Sequence, residues 1–103
     1  MSTIFGNKLK ILREKKQIPQ RQLASLLEID TATYCKIEKG DRRAKREQIK
    51  VLAKMLEIDS KELIRLWSAD KVYDIIAEEE DATLILNEVA ERIIEYKLKI
   101  AII

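Results

Sequence analysis

A chain of 103 residues that is 47% hydrophobic and 37% charged suits one compact domain, or one domain and an appendage, and excludes a disordered chain. With no His and a single Cys it cannot build a Cys/His zinc set, an internal disulfide, or a Ser-His-Asp or Cys-His pair, so no metal and no cofactor is expected. The net charge of +2 hides a division: residues 1–69 hold 16 Lys and Arg against 9 Asp and Glu, whereas residues 70–103 hold 4 against 9.

Two Gly, one Pro and few β-branched alternations leave no punctuation for a multi-strand sheet, while Leu, Ile, Lys, Glu and Ala recur at helical spacing. An all-α fold is expected. Leu9, Ile11 and Leu12 mark a first helix from about Asn7 to Lys16. Pro19 pre-sets the first turn of a second, Gln20 to Leu27, with Leu23, Ala24 and Leu27 on one face. Asp30 is a good N-cap for a third, from about Thr31 to Lys39, which Gly40 ends by taking a left-handed conformation. The basic connector Arg42-Arg43-Ala44-Lys45-Arg46 leads to a fourth helix, Glu47 to Leu56, with Ile49, Leu52, Ala53 and Leu56 in step. Asp59 to Glu62 resembles a capping box and opens a fifth, holding Leu63, Ile64, Leu66 and Trp67. Five short helices would close one core by about residue 67.

Beyond it, the pattern predicts a helix over roughly Asp70 to Glu79, the acidic run Glu78-Glu79-Glu80-Asp81, and a last helix from Ala82. There Leu86, Val89, Ile93, Tyr96, Ile100 and Ile103 advance by alternating steps of three and four, widened by Ile85, Ala90 and Ile94. One helix with that much apolar surface does not stay solvated alone. It folds back on its own domain or pairs with a second chain. The division is thus a basic domain over residues 1–69 and an acidic helical extension over 70–103.

The carboxylates lie on solvated helix faces or in the acidic run, with no Gly-rich loop to cradle a phosphate, so an enzyme is not expected. Cys35 has no second Cys to resolve it and reads as a packing or groove-facing residue. The N-terminus lacks the basic-then-apolar pattern of a secretion signal, and no run approaches the roughly 20 apolar residues of a membrane span. A cytoplasmic protein is the expectation.

Breaking an amphipathic helix at Glu28-Ile29-Asp30 only to start another exposes extra helix ends, which core formation alone does not require. The segments "LKILREKK", "PQRQLASLLEID", "YCKIEKG" and "QIKVLAKMLEIDSKEL", spanning Leu9 to Leu63, resemble the helix-turn-helix domain of the lambda-repressor and Cro type, the XRE family. "DTATYCKIEKGDRRAKREQI" is also similar to regulators lying beside bacterial restriction-modification genes. The resemblance implies a five-helix lambda-repressor-like DNA-binding domain in which the first of the two broken helices crosses the DNA backbone and the second enters the major groove.

It further implies an inward ion pair between Arg13 and Glu38, and packing of the two helices through Leu23, Ala24, Ile29, Tyr34 and Ile37. Base reading falls to Thr31, Ala32, Thr33, Cys35 and Lys36, with Lys36 able to donate to guanine and Ala32 or a threonine methyl suited to a thymine methyl. Phosphate contacts fall to Gln20, Lys39, Arg42, Arg43 and Arg46, and Tyr34, which departs from the usual aliphatic residue at its position, is expected to pack its ring while its hydroxyl reaches solvent or a phosphate. Two positions where relatives often carry Gly are Gln17 and Glu28 here, so Glu28 must turn left-handed or alter the turn.

A single recognition helix contacts few bases, so pairing of the last helix through Leu86, Val89, Ile93, Ile94, Tyr96 and Ile100 fits a homodimeric, sequence-specific transcriptional regulator, a repressor or autoregulator, on a pseudo-palindromic operator. The alternative is an antitoxin-like interaction protein whose last helix binds a partner protein, with DNA binding for autoregulation. A solution mass of twice the chain favours the first; a last helix that stays disordered or aggregates until a partner is added favours the second.

Overall fold

Helix ends decide this architecture. A computed structural model describes residues 2–102; Met1, and Ile103 at the end of the expected apolar series, lie outside them. The helices are α1 (Ile4–Lys15), α2 (Gln20–Leu26), α3 (Thr31–Lys39), α4 (Arg46–Met55), α5 (Ser60–Ile76) and α6 (Ala82–Ile102), with no strand among the described residues.

The start of α1 precedes the expected Asn7 because two caps hold it. The Thr3 hydroxyl accepts from the Gly6 N–H at 2.9 Å. The Asp70 carboxylate, brought in by α5, accepts from the N–H groups of Ile4 at 3.1 Å and Phe5 at 3.0 Å. These satisfy donors that a helix start otherwise leaves open. Gly6 is dictated by proximity, since a side chain there would run into the carbonyl oxygen of Glu38 on α3.

Three helices end alike. Gln17, Glu28 and Glu57 sit at φ 56, 58 and 57°. In each case the following Ile donates its N–H five residues back, Ile18 to Arg13, Ile29 to Ala24 and Ile58 to Ala53, all at 3.0 Å. This is the Schellman ending, with an apolar residue just past the left-handed one packing on the core. Glu28 therefore takes the left-handed conformation, and the turn keeps its shape without Gly. Gly40 does the same for α3 at φ 87°, with Asp41 donating to Lys36 at 2.9 Å. The tetrapeptide Leu-Glu-Ile-Asp occurs twice, at 27–30 and 56–59. Its Leu closes one helix and its Asp opens the next: Asp30 accepts from the Thr33 N–H at 2.6 Å and Asp59 from the Lys61 N–H at 2.9 Å.

The chain divides into two compact units, Met1–Lys71 and Val72–Ile103. In the first, Phe5, Leu9, Leu23, Ala24, Tyr34, Ile37, Ala44, Ile49, Leu52, Ala53, Leu56, Leu63 and Trp67 form one buried core. α3 packs on both α1 and α2. The separate helix expected from Asp70 to Glu79 does not exist: α5 runs unbroken from Ser60 to Ile76, because nothing in Ser68-Ala69-Asp70 breaks a helix and Asp70 faces inward to cap α1. The core is thereby fastened three residues beyond Trp67. In the second unit α6 has 21 residues, none buried. Leu86, Val89, Ile93, Ile94, Tyr96 and Ile100 are all exposed. No helix among the described residues is long and apolar enough to cross a membrane.

Candidate nucleic-acid interface

The turn between α2 and α3 is set by backbone bonds and small volume. Glu28 and Ile29 close it onto Ser25 and Ala24. Ala24, 1% exposed, leaves α3 room to approach, and Leu23, Tyr34 and Ile37 fill the angle. At about 100° per residue, a helix that turns Tyr34, Ile37 and Glu38 inward must turn Ala32, Lys36 and Lys39 outward. All three are exposed, as is Thr31 at the helix start. Thr33 and Cys35 flank this face half-buried.

Beneath the face lies a polar anchor. Arg13 holds Glu38 through two bonds, Nε to Oε2 at 2.6 Å and Nη2 to Oε1 at 3.2 Å, and donates through Nη1 to the Ile18 carbonyl at 3.0 Å. The Glu38 side chain is 3% exposed and that of Arg13 13%. The bond to Glu38 holds the Arg13 pKa above its ordinary value, outweighing the opposing effect of burial. One residue on α1 thus fixes both the end of α1 and the rotation of α3. Breaking an ion pair this dry leaves an uncompensated charge, which costs more than the pair contributes.

One expected phosphate contact is corrected. Tyr34 is fully buried and its hydroxyl has no hydrogen-bond partner among the described residues, so it reaches neither solvent nor phosphate. Burial pushes the phenol pKa up, and the negative charge of Glu38 pushes it the same way. The hydroxyl was expected outside because Tyr stands where relatives carry an aliphatic residue; complete burial in the core overrides that. The Gln20 amide, another residue expected on phosphate, donates one hydrogen bond to Glu38 Oε1 at 3.1 Å and so ties the start of α2 to the ion pair.

Asp30 serves as the cap it was expected to be. Its pKa is lowered first by a hydrogen bond from the Thr33 side chain, then by the Thr33 backbone N–H, with the charges of Lys36 and Arg42 adding. Cys35 lines an open cleft with Asn7, Lys10, Gln20, Glu38 and Lys39, at the edge of the outward face and not at its centre. Lys10 is a cation at this cleft that the sequence pattern gave no reason to single out.

Past Gly40 the connector is pinned by its one apolar member. Ala44 is buried, and its carbonyl accepts from the Trp67 indole N–H at 2.9 Å. Arg42, Arg43, Lys45 and Arg46 are therefore turned outward around it. The Arg46 guanidinium lies 5.3 Å from the Trp67 ring centre, and the Lys71 ammonium 3.5 Å from it. Arg46 is thus shared between solvent and the indole face.

A short helix, rotated by a buried ion pair, with an exposed basic face and a basic connector after it, has the form of a major-groove reader. Residues 4–75 match the family model described as a helix-turn-helix domain. The chain belongs to that helix-turn-helix family. Among solved structures, it is similar to the restriction-modification controller protein C.AhdI from Aeromonas hydrophila, at 36% identity and a TM-score of 0.52, over 57% of this chain and 86% of that one. No curated protein matches. The helix-turn-helix domain, all-helical as its XRE-type resemblance implies, makes this a DNA-binding regulator.

Proposed function

We propose that the protein is a cytoplasmic, non-enzymatic transcriptional regulator that binds a pseudo-palindromic operator as a homodimer and acts as a repressor or autoregulator, in the manner of a controller of restriction-modification genes. The observation that carries the reading is the outward face of α3, where Ala32, Lys36 and Lys39 stand exposed above the Arg13–Glu38 anchor. Thr31, Ala32, Thr33 and Lys36 read bases, with Cys35 at the margin. Lys39, Arg42 and Arg43 contact phosphates, and Lys10 and Arg46 add positive potential beside them. The similarity to a restriction-modification controller protein supports the choice of target genes.

Pairing through Leu86, Val89, Ile93, Ile94, Tyr96 and Ile100 would bring two readers onto one duplex, with half-sites about 10 base pairs, one DNA turn, or a multiple of that apart. Two measurements on the intact protein test this. DNA affinity should fall roughly a thousandfold between 50 and 200 mM salt if about six phosphates are contacted; a flat response contradicts DNA binding. Leu86→Asp with Ile93→Asp should yield a monomer that binds the operator about a hundredfold more weakly, the gain from tethering two readers being lost. A dimer that survives both changes places the interface elsewhere.

A further inference from the structure

We infer that two copies of α6 pair antiparallel, each covering the other's apolar face, so that the acidic run preceding one helix lies beside the basic end of its partner. The inference rests on the homodimer proposed above and adds its geometry. α6 is an unbroken helix of 21 residues, about 31 Å long at 1.5 Å per residue, and none of its residues is buried. Leu86, Val89, Ile93, Tyr96 and Ile100 are between 43% and 64% exposed and follow the three-four spacing of a helix-pairing seam.

Charge chooses the direction. Residues 78–91 carry six carboxylates, Glu78, Glu79, Glu80, Asp81, Glu88 and Glu91, and no cation. Residues 92–103 carry Arg92, Lys97 and Lys99 against the single carboxylate of Glu95. A parallel pair in register sets the acidic run against its own copy and the three cations against theirs, which repels at both ends. An antiparallel pair sets Lys97 and Lys99 of each chain beside the acidic run that precedes α6 in the other. It also opposes the two helix dipoles, which favours the arrangement further.

Side-chain volume agrees. An antiparallel register centred near Glu91 stacks Val89 on Ile93, Leu86 on Tyr96, and the small Ala82 on Ile100, each layer occurring twice about the twofold axis. Every member of the seam within the described residues then has an apolar partner, and the bulky Tyr96 meets an unbranched-at-Cβ Leu. A parallel register would place Tyr96 on Tyr96 and Ala82 on Ala82, one layer crowded and one hollow.

Site-directed cross-linking separates the possibilities in full-length protein. Cys35→Ser removes the native thiol, and Leu86→Cys or Tyr96→Cys then supplies one thiol per chain. Residues 86 and 96 are ten apart on one helix, about 15 Å, far beyond the roughly 4 Å between Cβ atoms that a disulfide spans. Neither variant should cross-link to itself under mild oxidation, whereas an equimolar mixture of the two should give a covalent dimer of unlike chains. Sedimentation of the unoxidised protein is run beside it. A dimer in which Leu86→Cys cross-links to itself overturns the antiparallel arrangement and leaves the homodimer standing. A dimer with no cross-link in the mixture overturns the α6 seam. A monomer at micromolar concentration overturns the homodimer together with this inference.

Discussion

The two Leu-Glu-Ile-Asp turns join helix pairs of the same make, yet α3 and α5 have different fates. Counted from the capping Asp, the register agrees: Tyr34 and Leu63 stand four residues on, Glu38 and Trp67 eight residues on, and all four are buried. Lys36 and Arg65 stand six residues on, and both are exposed. The difference lies in length and neighbours. α3 stops after nine residues at Gly40 and hands the chain to a basic connector. α5 continues for 17, and its inward residues roof Ala44 and cap α1. The turn sequence therefore supplies an angle. A reader of DNA additionally needs a short second helix whose outer face stays uncovered and whose inner face is locked.

The lock offers the largest break in that comparison. Arg13→Ala should destabilise the domain by about 3–5 kcal/mol, because Glu38 would remain buried without its charge partner. Urea denaturation measures it, and a loss below about 1 kcal/mol would mean that Glu38 finds water or another donor. The corresponding device on α5 is Asp70, whose removal in Asp70→Ala strands two N–H groups of α1 at a cost of about 1–3 kcal/mol. DNA binding measured well below the melting temperature should be unaffected, since Asp70 lies outside the α3 face.

Neither Asp70 nor the Tyr34 correction was legible in the sequence, for related reasons. A lone Asp in a helix reads as a cap for its own helix; that it caps a helix start 66 residues away is a property of the tertiary fold. A tyrosine reads as amphipathic, and only the packing of α1 and α3 around it decides that the hydroxyl stays inside. By contrast, the boundaries of α3 were plain, because Asp30 and Gly40 are local signals that act within one turn. The core positions followed from spacing, as did the Arg13–Glu38 pair from the resemblance. The Gln20 bond to Glu38 needed three helices in place before it could be seen.

A smaller effect sharpens the comparison at the surface. Lys36→Ala should cost about 1–3 kcal/mol on the preferred site and relax the preference at one base per half-site, with unchanged stability. Arg65→Ala, at the same offset in α5, should leave binding to every sequence nearly as it was; equal losses from the two would move the interface off α3. The smallest expected change is the one the two turns share. Glu28→Gly and Glu57→Gly should each stabilise by about 0.5–1 kcal/mol, the relief of a left-handed L-residue less the added freedom of the unfolded chain. Thermal melts would show the larger gain at Glu28, since Glu57→Gly also gives up the ion pair with Lys16 at 2.8 Å, and only the change at Glu28, in the turn that aims α3, should alter DNA affinity.

The central claim is that α3 reads base sequence and does so twice per operator. Selection of bound sites from random duplex DNA by the intact protein, repeated with Lys36→Ala, tests it most directly. The account predicts a pseudo-palindromic motif with half-sites about 10 base pairs or a multiple apart, and loss of preference at one symmetric position in the variant. No enriched motif, or one that Lys36→Ala leaves untouched, would contradict it.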